Sequence, residues 1–287
     1  MDRKKLLLIL GIVTLLMFCL CGCGKNKITG SETYSANEVK ELQISADAWK
    51  INIMASSDDN IRISLGGSVS DKDDKPTVSL QNGIVTIVQK SSDEELQDQI
   101  ALGKKGEIML YLPSDCIIPV RINNEIGDID IDSISATEFQ LANNAGYVTF
   151  SHFAADSLKI SSSSGDITVK DSEVSSAEIV TTSGYVQLNN TIFSGTEIIT
   201  KSGEVNMSEI SPQTNISIQT GSGDINLNYQ TSPDNLSFSI TSGSKDISAS
   251  FNGAAYSKET SSCRQGTLGA GDNNLEIGSD NGTVVVK

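Results

Sequence analysis

Apolar residues in the second half of the chain fall two apart in short runs, and the runs return at a fixed distance. Aligned on Gly followed by Asp, Glu or Tyr and then Ile or Val, the glycines are Gly127, Gly146, Gly165, Gly184, Gly203 and Gly223, spaced 19, 19, 19, 19 and 20 residues apart, with Gly243 after another 20. Two and four residues after them stand Ile129 and Ile131, Val148 and Phe150, Ile167 and Val169, Val186 and Leu188, Val205 and Met207, Ile225 and Leu227. Before them run pairs such as Val120 and Ile122, Leu158 and Ile160, and Leu275 and Ile277 ahead of Gly282. Alternation of this kind makes strands with one buried face. No helical period follows Cys23. A fixed period near 20 marks stacked repeats, because a coil this short buries its inner face only against its neighbours. The expected fold is all-β: a β-solenoid of 19–20-residue coils, each with two strand segments, a short third side being left open. Ile134, Phe153 and Ile210, seven residues after their glycines, are expected to plug a corner. Common register favours parallel stacking; an antiparallel meander is the alternative. Gly at the turn is read as meeting a need for positive φ.

Residues 37–120 are less regular. Alternating runs sit at Leu42–Ile44, Trp49–Ile53, Ile61–Leu65, Val78–Leu80, Ile84–Ile87 and Ile108–Leu112, and Asn82-Gly83 signals a tight turn. This part is expected to form an irregular N-terminal cap that shields the open strand edge of the regular coils over residues 121–287. Residues 69–76 and 91–105 read as charged loops, residues 24–36 as a polar tether, and residues 252–274 as a C-terminal loop that interrupts the ladder before the closing strands.

Stacking turns sequence positions into columns. The position after each Gly holds Asp128, Tyr147, Asp166, Tyr185, Glu204 and Asp224; the one before holds Ser164, Ser183, Ser202, Ser222 and Ser242. Coils about 4.8 Å apart would hold most of these carboxylates about 10 Å from one another, close to the Debye length in physiological salt. Turn chemistry, with Ser and Asp bonding local backbone, accounts for the columns. A ligand-facing stripe suited to sugars is the sharper reading. One Asp per coil supplies few calcium ligands, and the nine-residue calcium repeat is absent.

The N-terminus adds a compartment. Arg3, Lys4 and Lys5 precede the apolar segment 6–20, too short for a membrane span, and Leu20-Cys21-Gly22-Cys23 resembles the lipobox of bacterial lipoproteins. Residues 1–22 are therefore expected to be a signal peptide, with Cys23 lipidated and residues 23–36 tethering the rest to the membrane outside the cytoplasm; an uncleaved anchor helix is the alternative. The whole chain carries a net charge of −15, and loss of residues 1–22 leaves 18 basic against 35 acidic residues, −17. Such a surface excludes nucleic acid and disfavours anionic polymers. Cys116 and Cys263 remain, and their spacing leaves a disulfide open. With His152 as the single histidine and no CxxC, neither a zinc site nor His-dependent catalysis is expected, and no cofactor is implied. Glu204 and Asp224 are the nearest approach to a carboxylate pair.

The Ser-Gly-Asp-Ile tiles, the strand "GEIMLYLPSDC" and the ending "LEIGSDNGTVVVK" together resemble the bacterial putative-adhesin domain family, over residues 39–287. The resemblance implies a β-solenoid of unknown function, envelope-associated, and supplies no catalytic residues. The expected function is that of a non-catalytic, lipid-anchored, adhesin-like surface protein, not an enzyme, binding an envelope protein or glycan; a regulatory module binding a membrane protein under envelope stress and a carbohydrate-active β-helix are the alternatives.

Overall fold

The computed structural model describes residues 26–69, 75–91 and 106–287. The expected signal peptide, Cys23 and most of both charged loops lie outside the described residues. In chain order the strands are β1 (Asn26–Ser35), β2 (Glu41–Ala46), β3 (Lys50–Ser56), β4 (Asn60–Val69), β5 (Thr77–Gln81), β6 (Ile84–Gln89), β7 (Gly106–Pro113), β8 (Val120–Asn124), β9 (Ile129–Asp132), β10 (Ser135–Asn143), β11 (Val148–Ser151), β12 (Ala154–Ser162), β13 (Ile167–Thr181), β14 (Val186–Thr200), β15 (Val205–Ile210), β16 (Asn215–Thr220), β17 (Ile225–Tyr229), β18 (Leu236–Ser242), β19 (Ile247–Ala249), β20 (Ala255–Thr260), β21 (Cys263–Leu268), β22 (Asn273–Ser279) and β23 (Val284–Val286).

The chain is a β-solenoid with parallel stacking. One face, A, runs β6–β2–β8–β10–β12–β13–β14–β16–β22–β18. The other, B, runs β7–β3–β9–β11–β13–β14–β15–β17–β23–β19. In the middle coils a short third side joins B to A, with Ala136 on Ala155 and Val174 on Phe193. The alternating residues of both faces point inward, so Leu158, Ile160, Ile167, Val169, Val186 and Leu188 are all buried. Ile134, Phe153 and Ile210 fill the corner as expected. Phe139, Phe150 and Phe153 meet edge to face with ring centroids 4.9–5.4 Å apart, adding about 0.5–1.5 kcal/mol per pair beyond burial.

The glycine column is there for a different reason from the one expected. Of Gly127, Gly146, Gly165, Gly184, Gly203 and Gly223, Gly146 alone has positive φ, at 112°. What excludes a side chain is close approach. A Cβ on Gly165, Gly184, Gly203 or Gly223 would overlap the carbonyl oxygen of the glycine one coil earlier. The left-handed bend comes six residues later, between face B and the third side. There Ser133, His152, Asp171, Asn190 and Glu209 take φ of 45–60°, one per coil. Asn and Asp tolerate this conformation better than most residues.

Three boundaries differ from expectation. Residues 26–35, expected in the tether, form β1, paired over its whole length with antiparallel β4. Ile28 is buried there and Tyr34 packs partly buried against the core, but Gly30 and Glu32 stand between them in the same register, so the strand shows no apolar alternation to read. Residues 252–274 contain the hairpin β20–β21, and β21 closes the edge of β18. The last strands, β22 and β23, do not close the stack; they lie between β16–β17 and β18–β19. Cys116 and Cys263 are free and buried. Eight strand spacings on face A, about 40 Å, separate β8, just after Cys116, from β21, which holds Cys263. Burial, with help from the charge of Asp115, pushes the Cys116 thiol above its usual pKa, which makes it a poor nucleophile.

Candidate functional site

The corner between face A and face B is built the same way in every middle coil. A polar side chain three residues before the Gly points inward and holds the turn. Asn143 Nδ2 donates to the Gly146 carbonyl at 3.0 Å, and Thr181, Thr200 and Thr220 accept the amides of Gly184, Gly203 and Gly223 at 3.3, 2.8 and 2.9 Å. All of these side chains are buried, as is Asn124 at the start of the column. Gln89 ends the same ladder, and its Oε1 accepts from the amides of Asp47, Ala48 and Trp49. Sequence reasoning missed this column, although a polar residue does stand three before each of these glycines. Its work is to satisfy backbone groups that the turn would otherwise bury unpaired.

The serines before the glycines are used in the same way. The hydroxyls of Ser164, Ser183 and Ser202 donate to the carbonyls of Asn144, Ser163 and Thr182 at 3.2–3.3 Å. The six residues after the glycines, Asp128, Tyr147, Asp166, Tyr185, Glu204 and Asp224, do come together in one column. Each carbonyl from Tyr147 to Asp224 accepts the amide that opens the preceding coil's face-B strand. Thr283 extends the column, because the last coil is inserted beside β17. No period in the sequence announces that.

Within the column the two residue types part. Asp128 and Asp166 each accept, through Oδ1, the backbone amide of the tyrosine on the next coil at 3.0 Å, and Asp224 accepts that of Thr283 at 2.7 Å. The Asp–Tyr arrangement thus repeats every two coils: Asp128 with Tyr147, Asp166 with Tyr185. The tyrosine rings project outward, 64% and 58% exposed, among the most exposed large side chains of the described residues. Beside them on face B stand Thr149, Thr168 and Gln187, all polar. Glu204 and Asp224 are neighbours in the column, but Asp224 serves the Thr283 amide, and Glu204 receives Asn226 Nδ2 at 3.5 Å. That arrangement gives neither carboxyl a poised acid–base role.

Elsewhere face A carries a shallow depression of about 430 Å³ lined by Arg121, Gln140, Lys159 and Glu178. Its charges are already paired: Arg121 with Glu41 and Glu138 beside it, Lys159 with Glu178 at 3.1 Å. His152 sits on the left-handed corner with Nδ1 3.0 Å from Asp132, both side chains exposed. Among the described residues no three His, Cys, Asp or Glu side chains are grouped to hold a metal ion, and no helix is long and apolar enough to cross a membrane.

A stack of this kind defines a class of β-solenoid repeat domains, and the family model places the chain within it. The chain belongs to the Toastrack DUF4097 family, whose model matches residues 39–287. No curated protein is matched by the sequence. Among solved structures, a putative lipid binding protein from Parabacteroides distasonis is similar over 91% of this chain and 97% of its own, at 14% identity and a TM-score of 0.47. A putative adhesin from Bacteroides fragilis is similar over 91% and 96%, at 12% identity and 0.43. A putative cell adhesion protein from Clostridium sporogenes covers 91% and 99%, at 16% identity and 0.31. At these identities and scores the likenesses carry no ligand over to this chain.

Proposed function

We propose that the protein is a non-catalytic, lipid-anchored binding protein of the bacterial cell surface, adhesin-like in kind, and that it meets a glycan or protein ligand with the column from Asp128 to Asp224. The observation that carries this is the pair of exposed rings, Tyr147 and Tyr185. The serines and aspartates around them are occupied in holding backbone, so structure explains their presence. Structure does not explain two phenol rings left in water on a rigid corner. Aromatic faces with polar flanks suit sugar rings, which stack on the one and hydrogen-bond to the other. A rigid scaffold also lowers the ordering cost of binding. The lipid on Cys23 is the part of the proposal that rests on the lipobox alone.

The test is binding of the purified full chain to isolated cell-wall polysaccharide and to whole cells, with and without Tyr147→Ala and Tyr185→Ala together. Binding about tenfold weaker, equivalent to about 1.4 kcal/mol, is expected. Unchanged binding removes the column from the site. Crosslinking in intact cells that brings down one dominant membrane protein, and loses it in Cys23→Ala, replaces the adhesin with the regulatory module.

A further inference from the structure

The strand β1 changes what the anchor does. With residues 24–36 as a flexible tether the solenoid would hang free of the bilayer. Instead Asn26 is already paired with Val69, and the pairing continues without a break to Ser35 on Asn60. From Cys23 to Asn26 the chain spans at most about 10 Å. A lipid on Cys23 therefore fixes the β1 corner next to the headgroups.

That corner belongs to one end of the stack. On face B, β1 is outermost, beyond β4 and β7; on face A the outermost strand at the same end is β5, beyond β6. The edge strands themselves differ in charge from the sides, although the connections at this end, residues 70–74 and 92–105, each carry a sequence charge of −2. β5 has no charged residue, and β1 has Lys27 and Glu32, which cancel. Every side, by contrast, shows exposed acids: Glu197 and Glu276 on face A, Asp132 on face B, Asp156 and Glu173 on the third side, Asp224 on the binding corner. A bilayer with anionic headgroups repels the sides and does not repel the edge strands themselves.

We propose that the solenoid stands end-on at the membrane, with the edge strands β1 and β5 against the lipid surface. This rests on the lipid anchor of the proposed function. Eleven strand spacings separate β1 from β19, so the rod reaches about 50 Å from the headgroups. Tyr147 and Tyr185, five and seven spacings from β1, then lie roughly 25–35 Å above the bilayer. Their column runs along the membrane normal. The partner is accordingly one that comes within that distance of the membrane, a membrane protein or the innermost glycan.

The experiment uses the native lipidated chain in vesicles containing anionic phospholipid. A benzophenone side chain replaces, one at a time, Thr29 on β1, Ser79 on β5, Gln187 on face B or Lys258 on β20, all exposed. Photolysis should crosslink lipid at Thr29 and Ser79 several-fold more than at Gln187 or Lys258. Inserting a long Gly/Ser segment between Lys25 and Asn26 should erase the difference. Equal crosslinking at Gln187, or more at Lys258, overturns the end-on placement while leaving the anchor intact. The mass of the N-terminal peptide reports the anchor separately: without diacylglycerol on Cys23, both the anchor and the placement fall.

Discussion

In the middle of the solenoid, from β8 to β17, chain order and spatial order agree: each coil lies on the one before it, 19 or 20 residues earlier. At both ends they disagree. The chain lays down β2–β3, leaves through antiparallel β4 and β5, and returns as β6–β7 on the outside; β8–β9 then continue from the inner side of β2–β3. At the far end, β16–β17 are followed in space by β22–β23, and β18–β19 lie outside them under the hairpin β20–β21. The middle shows what a repeat does by itself: it propagates. The ends show what stops it. Antiparallel strands present no register to a further parallel coil, and interleaving buries the last strand instead of leaving it as an edge. The cost is entropic, since strands 59 residues apart in sequence must meet before the end closes.

The largest effect is expected from breaking an interleave. Ending the chain after Asp272 removes Leu275, Ile277, Val284 and Val286, all buried, from between two coils. At about 1.5–3 kcal/mol for each apolar side chain, the loss rivals the whole stability of a typical domain. The truncated chain should lose its cooperative thermal transition or fail to stay soluble. A normal melt would mean that β22–β23 are a dispensable edge. Next comes Gly184→Ala in the middle, where a Cβ meets the Gly165 carbonyl with no flexible neighbour to yield. It should cost about 3 kcal/mol in urea unfolding, at the upper end of overpacking effects. Gly195→Ala is the control: its Cβ would meet nothing within 4 Å, and it should stay within about 0.5 kcal/mol.

The third prediction concerns a feature that the sequence held in plain view. Ser133, His152, Asp171, Asn190 and Glu209 recur at 19 residues, yet as a column they look like solvated surface, because nothing in their mixed chemistry names a backbone angle. The glycines drew the positive-φ reading because that is glycine's commonest use; the close approach of stacked carbonyls becomes legible only when the coils are laid on each other. The inward ladder was fully legible, since period two and period 19–20 both reside in the local chain. The interleaved ends were not, since alternation says which face a residue takes and nothing about which coil lies next to it. For the candidate column, the sequence supplied membership up to Asp224 and missed both Thr283 and the backbone duties of the acids. Asn190→Val, which puts a β-branched residue at φ 45°, should cost about 1–2 kcal/mol, whereas Asn190→Gly should not destabilise through that angle.

The smallest effect compares one hydrogen bond in two settings. Asp166 Oδ1 holds the Tyr185 amide across 19 residues of chain; Asp224 Oδ1 holds the Thr283 amide across 59. Each acceptor is worth about 1 kcal/mol, so Asp166→Ala and Asp224→Ala should weaken global stability alike. Their local consequences should differ. β14 continues unbroken for 15 residues through the third side and into face A, so loss of one acceptor leaves Val186 and Leu188 held on both flanks. β23 has three residues, and its far side rests on β19, also of three. Hydrogen exchange at Val284 and Val286 should therefore accelerate in Asp224→Ala well beyond that at Val186 and Leu188 in Asp166→Ala. Equal protection in the two variants would mean that middle and end open as one cooperative block, and that the interleave ties the last coil to the stack as firmly as chain continuity ties the others.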